Sequence, residues 1–213
     1  MKVAILAGGL GTRLGPEAKG LPKSMVPIGG RPFLELVIES FQERGFEQFV
    51  LLTGFRGEVI EKYFGPRFEY SRESTPLGTG GAIREARHLL GPRFLMTYGD
   101  VLRRFDYDRF VRAHDEPCLA VYPRISIGNT EIEADRVIRF DKRAPKLPYI
   151  DAGFSLMDAS TIDLLPKSGA CSFEEIVFPA LARERRLAAE IVDHHFYEIG
   201  TPEELQRTRK ELG

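Results

Sequence analysis

Short apolar runs alternate with longer segments of helical period through the first two thirds of the chain. Branched and aromatic residues crowd into Lys2–Ala7, Phe49–Thr53 and Phe94–Tyr98, which predicts three strands, and Phe68–Arg72 adds another with a weaker pattern. Between the first two, Phe33, Val37, Ile38 and Phe41 recur on one helical face and Gly45 follows, so a helix is predicted across Pro32–Arg44. Val59–Phe64 and Gly80–Leu90 carry the next two helical patterns. Strand, helix, strand, helix implies crossovers between parallel strands, with helices on both faces of the sheet. After Asp100 the rhythm shortens. Strands are expected at Leu119–Arg124, Thr130–Glu133, Val137–Asp141, Tyr149–Met157 and Ala188–Val192, the second and third joined tightly through Ala134-Asp135. Ser172 with Glu175, and Thr201-Pro202 with Glu204, each read as a capping box that starts a helix. No repeat, low-complexity stretch or linker interrupts residues 1–213. One Rossmann-like α/β domain with a mixed, mostly parallel sheet is expected.

Composition narrows the ligand classes. A net charge of −1 sets up no global field for nucleic acid or an anionic membrane, so an anionic ligand must be held by a local basic cluster. No run approaches the ~20 apolar residues of a membrane helix, and Val3–Ala7 falls short of the ~7–15 of a secretory signal. Cys118 and Cys171 have no metal-like spacing, and Cys118 reads as a buried strand cysteine. A cytoplasmic protein without nucleic-acid or membrane partners is expected.

The first strand runs straight into Gly8-Gly9-Leu10-Gly11-Thr12-Arg13-Leu14. Glycines let the backbone approach a ligand closely, and successive N–H groups can form a nest for phosphate. Arg13 offers a planar fork for phosphate oxygens and Lys23 a compact charge. Between Gly8 and Arg31 the cations Arg13, Lys19, Lys23 and Arg31 face only Glu17, a local excess in a nearly neutral protein. The P-loop is excluded, because Gly-Lys-Ser/Thr is missing. So is the dinucleotide fingerprint, because Leu14 stands at its last glycine and Thr53-Gly54 at its acidic residue.

These residues resemble a known family. Leu6-Ala7-Gly8-Gly9-Leu10-Gly11-Thr12-Arg13-Leu14, followed by Pro22-Lys23-Ser24-Met25-Val26-Pro27-Ile28, is similar to the signature of the sugar-1-phosphate nucleotidylyltransferases. Glu73, Pro76-Leu77-Gly78-Thr79-Gly80-Gly81-Ala82, Tyr98-Gly99-Asp100 and Glu198-Ile199-Gly200-Thr201 match later stations in order. The nucleotide-diphospho-sugar transferase fold follows from the resemblance. Within the family the chain looks closest to the heptose-1-phosphate guanylyltransferases, through Arg31-Pro32-Phe33-Leu34-Glu35 and Pro76–Ala82.

The resemblance implies a nucleoside triphosphate (GTP) and a heptose or mannose-like 1-phosphate as substrates. It assigns nucleotide contacts to Leu6, Ala7, Gly8, Gly9, Gly11, Thr12, Arg13, Lys23, Gly78 and Thr79. It assigns the sugar pocket to Gly128, Asp141, Lys142 and Asp151. Asp100 ends a strand where its carboxylate can project past the sheet, and with Glu198 it is expected to hold Mg²⁺. The family usually carries aspartate at the Glu198 place and asparagine at the Asp151 place. Catalysis is expected from Arg13 on the leaving pyrophosphate, Lys23 on phosphate charge and Lys142 on the sugar phosphate. His194-His195 is set aside as a metal site, because neighbours on a strand point to opposite faces. Two rival readings are a glycosyltransferase using Asp106-Tyr107-Asp108 and a non-catalytic nucleotide-sensing module.

Overall fold

The fold is that of a computed structural model, described for every residue except Leu10, Lys19, Ala144, Pro145 and His194, and without the side chains of Ile125 and Ser126. The first half contains β1 (Lys2–Leu6), the hairpin β2 (Pro27–Ile28) and β3 (Arg31–Pro32), α1 (Phe33–Gln42), β4 (Gln48–Thr53), α2 (Gly57–Phe64), β5 (Glu69–Arg72), α3 (Gly78–Glu85) and β6 (Arg93–Tyr98). The second half adds β7 (Val101–Arg103), α4 (Tyr107–Ala113), β8 (Cys118–Gly128), β9 (Thr130–Glu133), β10 (Arg136–Phe140), β11 (Leu147–Asp158), α5 (Phe173–Arg183), β12 (Ala188–Ile191), β13 (Phe196–Glu198) and α6 (Pro202–Leu212).

One nine-stranded sheet runs β5-β4-β1-β6-β11-β8-β12-β10-β9. The first four strands pair in parallel, as the βα rhythm requires. β11 then enters antiparallel to β6 and β8, and β10 antiparallel to β12 and β9, while β12 and β8 are parallel. Parallel pairing therefore dominates only the N-terminal half. Strand direction is more uniform: β10 and β11 alone oppose the rest.

The central strands are apolar on both faces because both faces are covered. Side chains alternate, so Val3, Ile5, Phe49, Leu51 and Leu95 enter one core and Ala4, Val50, Leu52, Phe94 and Met96 the other. α1 seals the first core with Phe33, Leu34, Val37, Ile38 and Phe41, each at most 2% exposed. Burying one such side chain contributes ~1.5–3 kcal/mol. Phe41 also stacks on Tyr107 of α4, with ring centroids 3.9 Å apart. α3 and α5 cover the second face through Ile83, Phe173, Val177 and Phe178.

The helix starts divide. Thr201 forms the full capping box: its hydroxyl accepts from Glu204 N–H and the Glu204 carboxylate accepts from Thr201 N–H. At Ser172 only half of the expected box forms. Its hydroxyl accepts from Glu175 N–H but donates to Glu174, 2.6 Å away. α4 was not expected from the sequence. Asp106 caps it, accepting from Arg109 N–H at 3.0 Å, and Asp108 pairs with Arg112 one turn on. Asp106-Tyr107-Asp108 is thus a helix start engaged in its own turn.

Candidate active site

β1, β4 and β6 end side by side, and the loops leaving them enclose a cavity of about 920 Å³. Leu6, Ala7, Gly8 and Gly9 form one wall, and Gly78 and Thr79 at the start of α3 form another. Lys23, Tyr98 and Asp100 also line the cavity, where the chain passes into β7. Gly11, Thr12 and Arg13 are not among the lining residues. Arg13 stands exposed on the 3-10 stretch Thr12–Ala18, beside the cavity rather than in it. Of the three loop glycines, only Gly11 has a left-handed φ, +64°. Arg31 turns away from the loop to Glu35 and Glu39 on α1, and Lys19 lies outside the described residues.

Gly78 is required by its backbone. Its φ is +69°, and a Cβ there would approach the Cys171 carbonyl oxygen to 2.5 Å, so α3 can start tight against the Cys171–Ser172 segment only with glycine. Gly128 answers to packing instead. A Cβ would meet the Leu147 carbonyl oxygen at 1.9 Å, where β8 and β11 pair.

Lys23 sits on the 3-10 turn Lys23–Met25, its side chain 11% exposed, and its ammonium donates to Asp100. Asp100 lies in the two-residue turn between β6 and β7. Val101 pairs with Glu198 in the small β7–β13 sheet, and Ile199 N–H donates to the Asp100 carbonyl at 3.2 Å. That hairpin-like pairing joins residues almost a hundred positions apart and makes the two carboxylates neighbours. Burial pushes the Glu198 carboxyl up, and the charges of Glu204 and Asp100 push it further. Two hard oxygen donors with crowded negative charge suit a small divalent cation that completes its shell with phosphate and water. Among the described residues no third His, Cys, Asp or Glu completes a metal-holding group with them.

Beyond the rim, Lys142 follows β10 and lies 3.2 Å from the carboxylate of Glu174, which is fully buried. Asp141 accepts from Arg143 N–H at 2.9 Å and pairs with Arg139 at 3.3 Å. Asp151, on β11, accepts from Gly153 N–H at 2.8 Å. Burial raises its carboxyl to about 6, against the Gly153 hydrogen bond and the charges of Lys142 and Arg103. Arg103 itself is buried over the Phe196 ring, 4.4 Å from its centroid, and burial lowers it to about 10. It remains a cation at neutral pH, positioned to offset Asp151.

Three residues here were not singled out from the sequence. Glu73 lines the cavity, Arg103 neighbours Asp151, and Glu174 gathers four donors. Glu174 carried a readable signal, an acid on the apolar face formed by Phe173, Val177, Phe178 and Leu181. Glu73 was visible only as part of a motif.

The family model for nucleotidyl transferases matches residues 2–135. The chain belongs to the nucleotidyl transferase family. It is similar over nearly its whole length to D-glycero-alpha-D-manno-heptose 1-phosphate guanylyltransferase of Campylobacter jejuni, which is 33% identical over 96% of both chains. Glucose-1-phosphate cytidylyltransferase of Salmonella typhi is 30% identical, covering 89% of this chain and 87% of its own. Among solved structures, HddC from Yersinia pseudotuberculosis complexed with GMP-PN superposes with a TM-score of 0.84 at 26% identity, covering 100% of this chain and 99% of that one. The relatives are enzymes that join nucleotides to sugar 1-phosphates, and they favour neither rival reading.

Proposed function

We propose that residues 1–213 form one nucleotidylyltransferase domain that transfers GMP from GTP to a manno-configured hexose or heptose 1-phosphate. The carrying observation is the Lys23–Asp100 pair lining the cavity, with Glu198 beside it. A cation for phosphate and a carboxylate pair for a metal meet where a triphosphate would cross from the glycine loop toward Lys142.

The sugar's phosphate oxygen forms a bond to the α-phosphorus while the bond to the pyrophosphate oxygen breaks. The second pKa of a phosphate monoester is ~6, so the nucleophile is ionised at neutral pH and needs no general base. What the protein must supply is alignment and charge. Lys23 faces the charge that develops around the α-phosphorus, Lys142 orients the sugar phosphate, and Arg13 swings in from the rim to the leaving pyrophosphate. Magnesium held by Asp100 and Glu198 would neutralise phosphate charge. A consumer of the cytoplasmic triphosphate pool belongs in the cytoplasm. Among the described residues no helix is long and apolar enough to cross a membrane.

The nucleobase is argued from Glu73. One carboxylate oxygen accepts from Leu77 N–H at 3.0 Å, and the other lies over Gly54 and Gly8 at the cavity wall. Burial pushes this carboxyl above its usual value. An ionised carboxylate only accepts, so it suits the N1–H and amino donors of guanine and leaves adenine, with a lone pair there, unmatched. Incubation with magnesium, equal GTP, UTP, dTTP, CTP and ATP, and a panel of sugar 1-phosphates tests this. GMP transfer should dominate, and Glu73→Gln should erode the preference. A tenfold preference for another base overturns the guanine assignment, and transfer to no sugar 1-phosphate overturns the function.

A further inference from the structure

Glu174 has no exposed surface, yet its carboxylate gathers side chains from both halves of the site. Its Oε2 accepts from Thr79 Oγ1 at 2.7 Å, from Ser172 Oγ at 2.6 Å and from Lys142 Nζ at 3.2 Å, and its Oε1 accepts from Tyr98. Thr79 and Tyr98 line the nucleotide cavity, and Tyr98 stands two residues before Asp100. Lys142 belongs to the sugar-phosphate side. A buried carboxylate is costly unless it is paired and bonded. Removing one donor therefore weakens the anchor felt by the others.

We infer that Glu174 is the positioning residue that couples the nucleotide half of the site to the sugar-phosphate half, through Thr79 and Tyr98 on one side and Lys142 on the other. The inference rests on the function proposed above. Glu174 cannot touch substrate, because four donors surround it and no part of it is exposed. It acts on how the others are held. Thr79 also accepts from Phe173 N–H at 2.9 Å, so its hydroxyl is held between α3 and α5. Lys142 is half-exposed, and Glu174 gives its flexible stem one orientation before a phosphate arrives. Burial pushes the Glu174 carboxyl up, but the Lys142 charge and the three hydroxyl donors outweigh it and hold the group below its usual value. The hub is thus ionised throughout the neutral range.

The coupling predicts effects that cross the site. Binding of α,β-methylene GTP and of mannose 1-phosphate to the full chain, each alone and in the presence of the other, is measured by calorimetry with magnesium. Steady-state kinetics with GTP accompany it. Thr79→Val removes one donor on the nucleotide side and should weaken mannose 1-phosphate about tenfold, the scale of one charge-assisted hydrogen bond. Lys142→Met should weaken the GTP analogue in the same way. Glu174→Gln should abolish the mutual strengthening of the two ligands, and Thr79→Ser should restore wild-type behaviour. A merely structural Glu174 lowers the melting temperature and the active fraction without moving either KM. Thr79→Val is an independent check should Glu174→Gln fail to fold. If each variant changes only the ligand on its own side, the inference is overturned while the function stands. If the wild-type chain binds neither probe and turns over no 1-phosphate, the function falls and takes the inference with it.

Discussion

Replacing Lys23 isolates the charge that the proposed chemistry depends on most. The side chain is 11% exposed and packs against Gly11, so alanine would leave a gap as well as remove a charge. Lys23→Met keeps the stem and deletes only the ammonium. Asp100 would then lose its cation, but its side chain is 31% exposed and water can replace much of the pair. With that screening the folding cost should be about 1 kcal/mol. The catalytic cost should be larger. A preorganised contact to charge that develops in the transition state contributes on the order of 3 kcal/mol, roughly a hundredfold in rate. Pyrophosphate release at saturating substrates and magnesium measures it, with a thermal melt to report on folding. A Lys23→Met protein that melts normally and releases pyrophosphate within about threefold of wild type would refute the assignment.

Asp100→Asn should abolish metal-dependent activity, and Glu198→Gln should shift the magnesium titration to higher concentration by a smaller factor, because each removes charge without shape. An unchanged titration for Asp100→Asn sinks the site, and one for Glu198→Gln demotes that residue alone. Asp151→Asn should stabilise the protein at neutral pH. The wild-type carboxyl is raised from 3.8 to about 6 in the fold, so its favourable protonated form is lost as pH rises through that window, and the penalty can reach roughly 2–3 kcal/mol above it. Denaturant unfolding should show no gain at pH 4 and the full gain by pH 7, and a gain independent of pH would contradict the cause given.

The sheet was legible where pattern and period agree. β1, β4 and β6 are apolar throughout because each feeds two cores, and α1 shows one clean face. Elements of a few residues left no such trace. β7 and β13 have three residues each, too few for alternation to register, and their pairing depends on tertiary contact. The antiparallel entry of β11 is invisible for a related reason. An apolar strand reads the same whichever way its neighbours run, so a mixed sheet was expected without the strands that reverse being named.

The site divides along a different line. Glycine loops and basic residues announce themselves by composition, so the cavity wall at Leu6–Gly9 and the position of Lys23 were expected. The arginine of that loop was expected against phosphate and stands outside the cavity instead, since a long exposed side chain takes its place only from its ligand. Glu174 shows the opposite limit. Its helical position marks it as an acid on an apolar face, but its four donors come from residues 79, 98, 142 and 172. No local window contains them together. Chemistry carried by one segment can be read from the chain, whereas coupling between segments exists only once the fold has brought them to one carboxylate.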